Sequence, residues 1–459
     1  MPDLKLTLAC WDYDRTRPLI DGRVKPEGID LDIEILRPRQ AFQRMLDKKE
    51  FDVSELSLAS YTALKGRGEC PFAAVPVALS KIFRHSCIYV RSGAGISTPQ
   101  DLKGKRVGTS QWGSTGLVFM RGMLQHDYGV RPQDMHWFMG GLNTFVEPPL
   151  IALNLPKDIR LDFLSGTQTL EQMFAAGELD ALLSLYIPKL FLEGSPAIAR
   201  LFPNYKEVEQ DYYRRTRILP IMHTVVLRED IYRAHPWAAR SIYRAFVQAR
   251  DLAVGGLYDT DALRVALPWL IDHVKEARRV FGADFWAYGL EPNRPTFEAI
   301  GRYVHEQGLS PRMVGADELF APRVTRKRGR GHTEPVARVN SINQRLNGLL
   351  RKREPLRPYR HGWSIALVSP MRGPTATSMS CARAKIANGG SSNARPYCAP
   401  VIPSAWHSRP GPAHNSRSSA TPRRRRIAAS PCVGASARIS IALALPCASH
   451  TKLRHQWMP

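Results

Sequence analysis

Ile29-Asp30-Leu31-Asp32, a loop at Arg39-Gln40, then Arg44-Met45-Leu46 and Glu50-Phe51-Asp52-Val53 read in turn as strand, short loop, amphipathic helix and a buried strand opening with Asp. The same outline returns at Ile159-Arg160-Leu161-Asp162, Thr167-Gln168, Gln172-Met173-Phe174 and Glu178-Leu179-Asp180-Ala181. Asp32 and Asp162 are 130 residues apart, and Asp52 and Asp180 are 128 apart. A βαβ unit used twice at one spacing implies two similar lobes. Any two βαβ units share part of this outline, so the repeat is an expectation for the structure to test.

Working outward, strand-like alternation marks 4–10, 29–36, 73–79, 87–91 and 221–228. Leu117, Met120, Leu124 and Tyr128, and again Ile242, Phe246, Ala249 and Ala253, recur at helical spacing with one apolar stripe each. Strands alternating with such helices predict an α/β fold with mostly parallel strands. Residues 1–92 and 222–322 are assigned to lobe 1 and 93–221 to lobe 2, with a ligand cleft between them. In such sheets anions bind beyond the strands' carboxyl ends, where helix N-termini offer free N–H groups and a favourable dipole.

Charge divides the chain at Pro322. Residues 1–322 carry 40 Lys+Arg against 39 Asp+Glu, and 323–459 carry the remaining 25 against 2, so nearly all of the formal +24 belongs to the tail. The tail is rich in Ser, Pro, Ala and Arg and includes Arg423 to Arg426. Such a segment buries too little apolar surface to offset chain entropy, and disorder is expected for 323–459. A near-neutral body offers no electrostatic footprint for nucleic acid.

Of seven cysteines only Cys10, Cys70 and Cys87 lie in the body, with no CxxC and no zinc-ligand spacing, so no metal is expected. The start, Met-Pro-Asp-Leu-Lys-Leu, enters strand-like alternation at once, without a basic segment leading into an apolar one, and no run approaches the roughly 18 apolar residues of a membrane span. The expectation is a cytoplasmic protein with no membrane partner. G-x-S-x-G, Walker, HExxH and G-x-G-x-x-G patterns are absent from the body, which removes support for a hydrolase, an NTPase or a nicotinamide enzyme.

Chemistry can sit at several places. Ala9-Cys10-Trp11-Asp12-Tyr13-Asp14-Arg15 follows the first strand, where Trp11 and Tyr13 could stack on an aromatic ring while Arg15 attracts a carboxylate; an ordinary polar loop is the alternative. Phe83-Arg84-His85-Ser86 sets a guanidinium beside an imidazole, able to hold a carboxylate and deliver a proton, or simply two surface residues. Gln111-Trp112-Gly113-Ser114-Thr115-Gly116 leads into the helix of Leu117, so Ser114 or Thr115 is a candidate N-cap and the glycines would allow close backbone approach. His223 interrupts the apolar run Ile221-Met222-His223-Thr224-Val225-Val226, as a core histidine or as a cleft group.

At Ala9-Cys10-Trp11-Asp12-Tyr13-Asp14-Arg15, Phe83-Arg84-His85-Ser86, Thr167-Gln168-Thr169-Leu170, Met222-His223-Thr224-Val225-Val226 and Tyr288-Gly289-Leu290-Glu291-Pro292-Asn293-Arg294, the chain resembles 4,5-dihydroxyphthalate decarboxylases, in order over essentially residues 1–322. That family belongs to the type 2 periplasmic-binding-protein superfamily, which also holds exported receptors for sulfonates, nitrate and thiamine precursors. The resemblance implies loss of CO2 from an aromatic dicarboxylate to give 3,4-dihydroxybenzoate, without a cofactor. His85 or His223 is the expected proton donor. Trp11, Tyr13, Arg15, Ser57, Arg84, Gly113, Ser114, Thr115, Thr167 and Gln168 are the expected substrate contacts. The alternative is the substrate-binding protein of an ABC transporter for a small aromatic or sulfonated anion.

Overall fold

The computed structural model describes residues 2–144 and 148–325. The expectation for the basic tail therefore falls, apart from its first residues, outside the described residues. In chain order the strands are β1 (Leu4–Cys10), β2 (Ile29–Ile35), β3 (Val53–Ser57), β4 (Phe72–Lys81), β5 (Ile88–Arg91), β6 (Arg106–Thr109), β7 (His136–Met139), β8 (Arg160–Phe163), β9 (Ala181–Leu183), β10 (Ile198–Arg200) and β11 (Ile221–Arg228). One sheet runs β2-β1-β3-β11-β4 and the other β10-β5-β9-β6-β7-β8. Helices flank both, giving a two-sheet α/β architecture. No described helix is long and apolar enough to cross a membrane.

The sheets are mixed rather than mostly parallel. In the first, β1 is parallel to β2 and β3, whereas β11 is antiparallel to both β3 and β4. In the second, β6, β7, β8 and β9 are parallel, whereas β5 is antiparallel to β9 and β10. Each sheet thus receives one reversed strand arriving from the other half of the chain. β5 belongs to the second sheet although its residues fall within 1–92, so the first crossing lies at 82–87. The return crossing, 217–220, runs alongside it, with Ile82 N–H donating to Pro220 O at 3.0 Å.

The internal repeat has a physical core in its two aspartates. Asp52, just before β3, accepts from the Thr7 N–H of β1 at 2.9 Å, while its carbonyl accepts from the Arg228 N–H that ends β11. Asp180, just before β9, accepts from the Arg106 N–H of β6 at 3.0 Å, while its carbonyl accepts from the Arg91 N–H that ends β5. The same arginines pair with the same carboxylates, at 3.4 Å for Arg228–Asp52 and 3.1 Å for Arg91–Asp180. β1, β3 and β11 are therefore matched by β6, β9 and β5. The leading strands of the repeat do not match: β2 lies directly beside β1, but β7 takes that place beside β6 and leaves β8 as an added edge.

A late helix fastens the two halves. Arg294–Glu306 packs on Leu58–Arg67 and on Thr115–Tyr128. The approach is close enough that a Cβ at Gly122 would fall 2.2 Å from the Tyr303 ring, so glycine is required there. Phe320 then bridges to Ala74 of β4, which places the end of the body against the first sheet.

Candidate functional site

The site starts at the carboxyl ends of β1 and β3. Glu55 and Ser57 lie two residues apart on β3 and so face the same way. His223 of β11 stands directly opposite Ser57 in the antiparallel register. Pairing of β11 with β4 is irregular on both sides of His223, a local bulge of the kind that re-aims a side chain.

Glu55 is fully buried, and three groups converge on its carboxylate. Trp11 N–H donates to Oε2 at 3.0 Å, the Tyr13 hydroxyl donates to Oε1 at 2.7 Å, and His223 Nδ1 lies 2.7 Å from Oε1. Tyr13 Oη and His223 Nδ1 are themselves 3.3 Å apart, and Phe42 packs edge-on against the imidazole at 4.9 Å. Burial alone would raise the Glu55 carboxyl, but the hydrogen bond and charge of His223, with Tyr13 and the Trp11 N–H, hold it below its ordinary value. Burial and the neighbouring Glu55 charge push the Tyr13 phenol the other way, so it remains a donor. With Nδ1 committed to the carboxylate, Nε2 is the ring nitrogen left to meet a ligand.

Arg15 closes one side. Its Nε donates to the Leu79 carbonyl, and its guanidinium lies over the Tyr13 ring at 4.1 Å and the Trp286 ring at 4.8 Å. Trp286 Nε1 and the Tyr288 hydroxyl are buried without a protein hydrogen-bond partner among the described residues. These two aromatics come from the segment leading into Glu291-Pro292-Asn293-Arg294. The sequence offers Glu291-Pro292-Asn293-Arg294 as a turn or a cleft rim, and does not single out Trp286 or Tyr288 as site groups.

The opposite side is built from two helix starts. Ser57 is the N-cap of Leu58–Arg67, accepting from Ser60 N–H at 3.4 Å. Its hydroxyl meets the Thr115 hydroxyl at 2.9 Å, and Thr115 Oγ1 also accepts from Ala59 N–H at 3.0 Å. Ser114 occupies the N-cap position of Thr115–Tyr128, but its side chain makes no capping bond. Both helix dipoles therefore present their positive ends near one point. Arg84 packs on the first turn: a Cβ at Gly116 would sit 3.0 Å from its Nε and 2.5 Å from Leu185. That Nε is buried and without a protein hydrogen-bond partner among the described residues, while Nη1 reaches Cys87 Sγ at 3.7 Å.

Several expected residues lie elsewhere. His85 does not accompany Arg84. Its ring is buried edge-on between Phe202 at 5.3 Å and Tyr212 at 5.2 Å, with Glu209 3.7 Å from Nδ1 and neither nitrogen hydrogen-bonded. The backbone bends into a 3-10 turn at His85–Cys87, which sends adjacent side chains to different surroundings. Thr167 and Gln168 are exposed on the loop before Leu170–Ala175, and no hydrogen bond joins their side chains to the cluster. Gly113 has only ordinary contacts about its missing Cβ, from Ile151 at 3.6 Å, so the close approach expected there falls at Gly116 instead. Among the described residues no group of acids, histidines and cysteines is arranged to hold a metal.

Comparison with known proteins adds a second line. Residues 15–146 match a family described as ABC transporter, phosphonate, periplasmic substrate-binding protein. The chain is 37% identical over 322 residues to the 4,5-dihydroxyphthalate decarboxylase of Comamonas testosteroni, spanning 70% of this chain and 98% of that protein. It is 37% identical over 214 residues to the protein of the same name from Pseudomonas putida, spanning 47% and 83%. Among solved structures, the periplasmic aliphatic sulphonate binding protein SsuA from Escherichia coli is 12% identical with a TM-score of 0.40, covering 70% of this chain and 98% of that one. The desulfurization enzyme DSZB is 13% identical with a TM-score of 0.37, covering 74% and 99%.

Proposed function

Because the chain belongs to the 4,5-dihydroxyphthalate decarboxylase family, we propose that it converts 4,5-dihydroxyphthalate, or a similarly hydroxylated aromatic carboxylate, to 3,4-dihydroxybenzoate and CO2. The observation that carries this reading is the Glu55–His223–Tyr13 cluster beside two converging helix starts: a charge-held proton donor next to an anion seat.

Direct loss of CO2 would leave an aryl anion. A hydroxyl para to the departing carboxylate offers an easier course. As that hydroxyl gives up its proton, the ring carbon bearing the carboxylate takes one from His223 and becomes tetrahedral, forming a dienone. The carbon–carbon bond then breaks, CO2 leaves, and its electrons restore the aromatic ring and the phenolate, which regains a proton. Glu55 holds His223 Nδ1 at 2.7 Å, which fixes the ring and leaves Nε2 to deliver the proton as general acid. In this proposal Ser57, Thr115 and Arg84 seat one carboxylate, Arg15 attracts the other, and Trp11 and Tyr13 flank the ring. His85, sealed in its aromatic pocket, supports this role less well than His223 does.

The test is to incubate the full chain with 4,5-dihydroxyphthalate and follow both products. Equimolar CO2 and 3,4-dihydroxybenzoate support the proposal. Tight binding without turnover turns the assignment to a receptor for small anions, the reading favoured by the match over residues 15–146.

A further inference from the structure

Beneath the loop that begins Thr115–Tyr128 lies a charged side chain that the proposed chemistry does not use. Arg121 is completely buried. Its Nε donates to Gln307 Oε1 at 2.8 Å, its Nη2 donates to the Trp112 carbonyl, and Nη1 has no protein hydrogen-bond partner among the described residues. The guanidinium carbon lies over the Trp112 ring, 3.9 Å from its centroid, with the Trp137 ring centroid 5.8 Å away. Gln307 completes the arrangement, its Nε2 donating to Val118 O at 2.9 Å and its carbonyl accepting from Trp112 Nε1 at 3.3 Å.

Burying a cation is costly unless a counter-charge compensates it. Among the described residues Arg121 has none: its hydrogen bonds go to an amide and a carbonyl, and burial lowers the guanidinium to about 9. At neutral pH it is still charged. Six residues separate it from Thr115, about 9 Å of helix axis, and helical side chains lean back toward the N-terminus. Trp112, Thr115 and Val118, on the same loop and helix, are buried, so water screens the charge little.

We infer that Arg121 is a positioning residue for anion binding: it pins the Trp112 carbonyl, fixing Gly113-Ser114-Thr115 in place, and supplies an uncancelled positive charge behind that loop which the substrate's carboxylate balances. The inference rests on the reading that the loop at Ser114-Thr115 seats a carboxylate. Its partners come from Gln307, on the segment that fastens the two halves, so the loop is held from both sides before any ligand arrives.

The experiment compares Arg121→Met, Arg121→Lys and Gln307→Glu with the full wild-type chain, reading KM and kcat for 4,5-dihydroxyphthalate and the melting shift produced by phthalate. Gln307→Glu sets a carboxylate against the intact guanidinium at the cost of the bond to Val118, so it carries the test if Arg121→Met fails to fold. The inference predicts that Arg121→Met and Gln307→Glu each raise KM about tenfold, on the order expected for one unit charge across a weakly screened path of this length. kcat should stay within about threefold, the melting shift by phthalate should shrink, and Arg121→Lys should recover part of the affinity. Folded variants with unchanged KM and an undiminished phthalate shift overturn it, as does a loss of stability equal with and without phthalate. Thr115→Val separates the layers: unchanged KM in that variant removes the carboxylate seat itself, whereas a raised KM there with a normal Arg121→Met removes only the role of Arg121. If no turnover is found at all, phthalate binding in the same variants still decides the question.

Discussion

His223 and His85 stand at matched places in the two crossings of the chain, one at the start of β11 and the other just ahead of β5, yet their hydrogen bonding and exposure differ. His223 has a buried carboxylate at 2.7 Å, a phenol at 3.3 Å and a partly open ring. His85 is 1% exposed, has aromatic edges on both sides, and faces Glu209 at a distance too long for a hydrogen bond. Proximity to the crossing does not make a proton donor. What distinguishes the proposed acid is a strand neighbour, β3, that projects an acid two residues from the register partner of the histidine.

Breaking the pair from its other side gives the largest effect. Glu55→Gln keeps the shape and removes the charge, and kcat is expected to fall by about 10²–10³ with ligand affinity little changed, read by steady-state kinetics beside phthalate titration. Because the Glu55 carboxyl sits below its ordinary value, its stabilising contribution is fully present above the unfolded-state carboxyl pKa and is lost as pH falls through the lower folded-state value. Wild type should therefore lose stability relative to Glu55→Gln toward acid pH.

Lys81 extends the comparison to a buried base with no carboxylate at bonding distance. Its ammonium donates to Ala287 O at 2.7 Å and Asn293 Oδ1 at 2.9 Å, and burial lowers it to about 7. The folded form holds its proton less tightly than the unfolded chain, so stability should rise with pH between about 7 and 10, where Lys81 is charged only when unfolded. Relative to Lys81→Met, wild type should gain on the order of 3 kcal/mol across that window in denaturant titrations. A flat difference would show that the ammonium is not penalised.

Smaller effects sharpen the account further. Ser57→Ala removes the hydroxyl that meets Thr115 and should raise KM about tenfold with little change in kcat, the pattern of uniform binding. His85→Leu removes two buried nitrogens that lack partners and should leave stability unchanged or raise it by about 1 kcal/mol, measured by thermal melting. A large loss there would mean that His85 makes contacts its geometry does not suggest.

Much of this was legible in the sequence where local pattern decides structure. β1 and β11 begin and end where alternation placed them, and Asp52 and Asp180 marked the three-strand core that the two halves share. What escaped was long-range. That β5 and β11 enter each other's sheets reversed follows from pairing between segments far apart, which no window of sequence contains. Glu55 was passed over because Val53-Ser54-Glu55-Leu56-Ser57, with three polar residues in five, resembles an exposed edge strand, and its complete burial follows only from the strands paired on both sides of it. The Ser57–Thr115 contact joins residues 58 positions apart, and Arg121 looked like any helical arginine until its burial was known.

The most direct test of the proposed proton donor is turnover of saturating 4,5-dihydroxyphthalate by His223→Gln and His85→Asn, measured side by side with the full wild-type chain. The account predicts that His223→Gln loses about 10³-fold or more in kcat while His85→Asn stays within about threefold. Equal kcat values for His223→Gln and wild type, or a loss confined to His85→Asn, would contradict it.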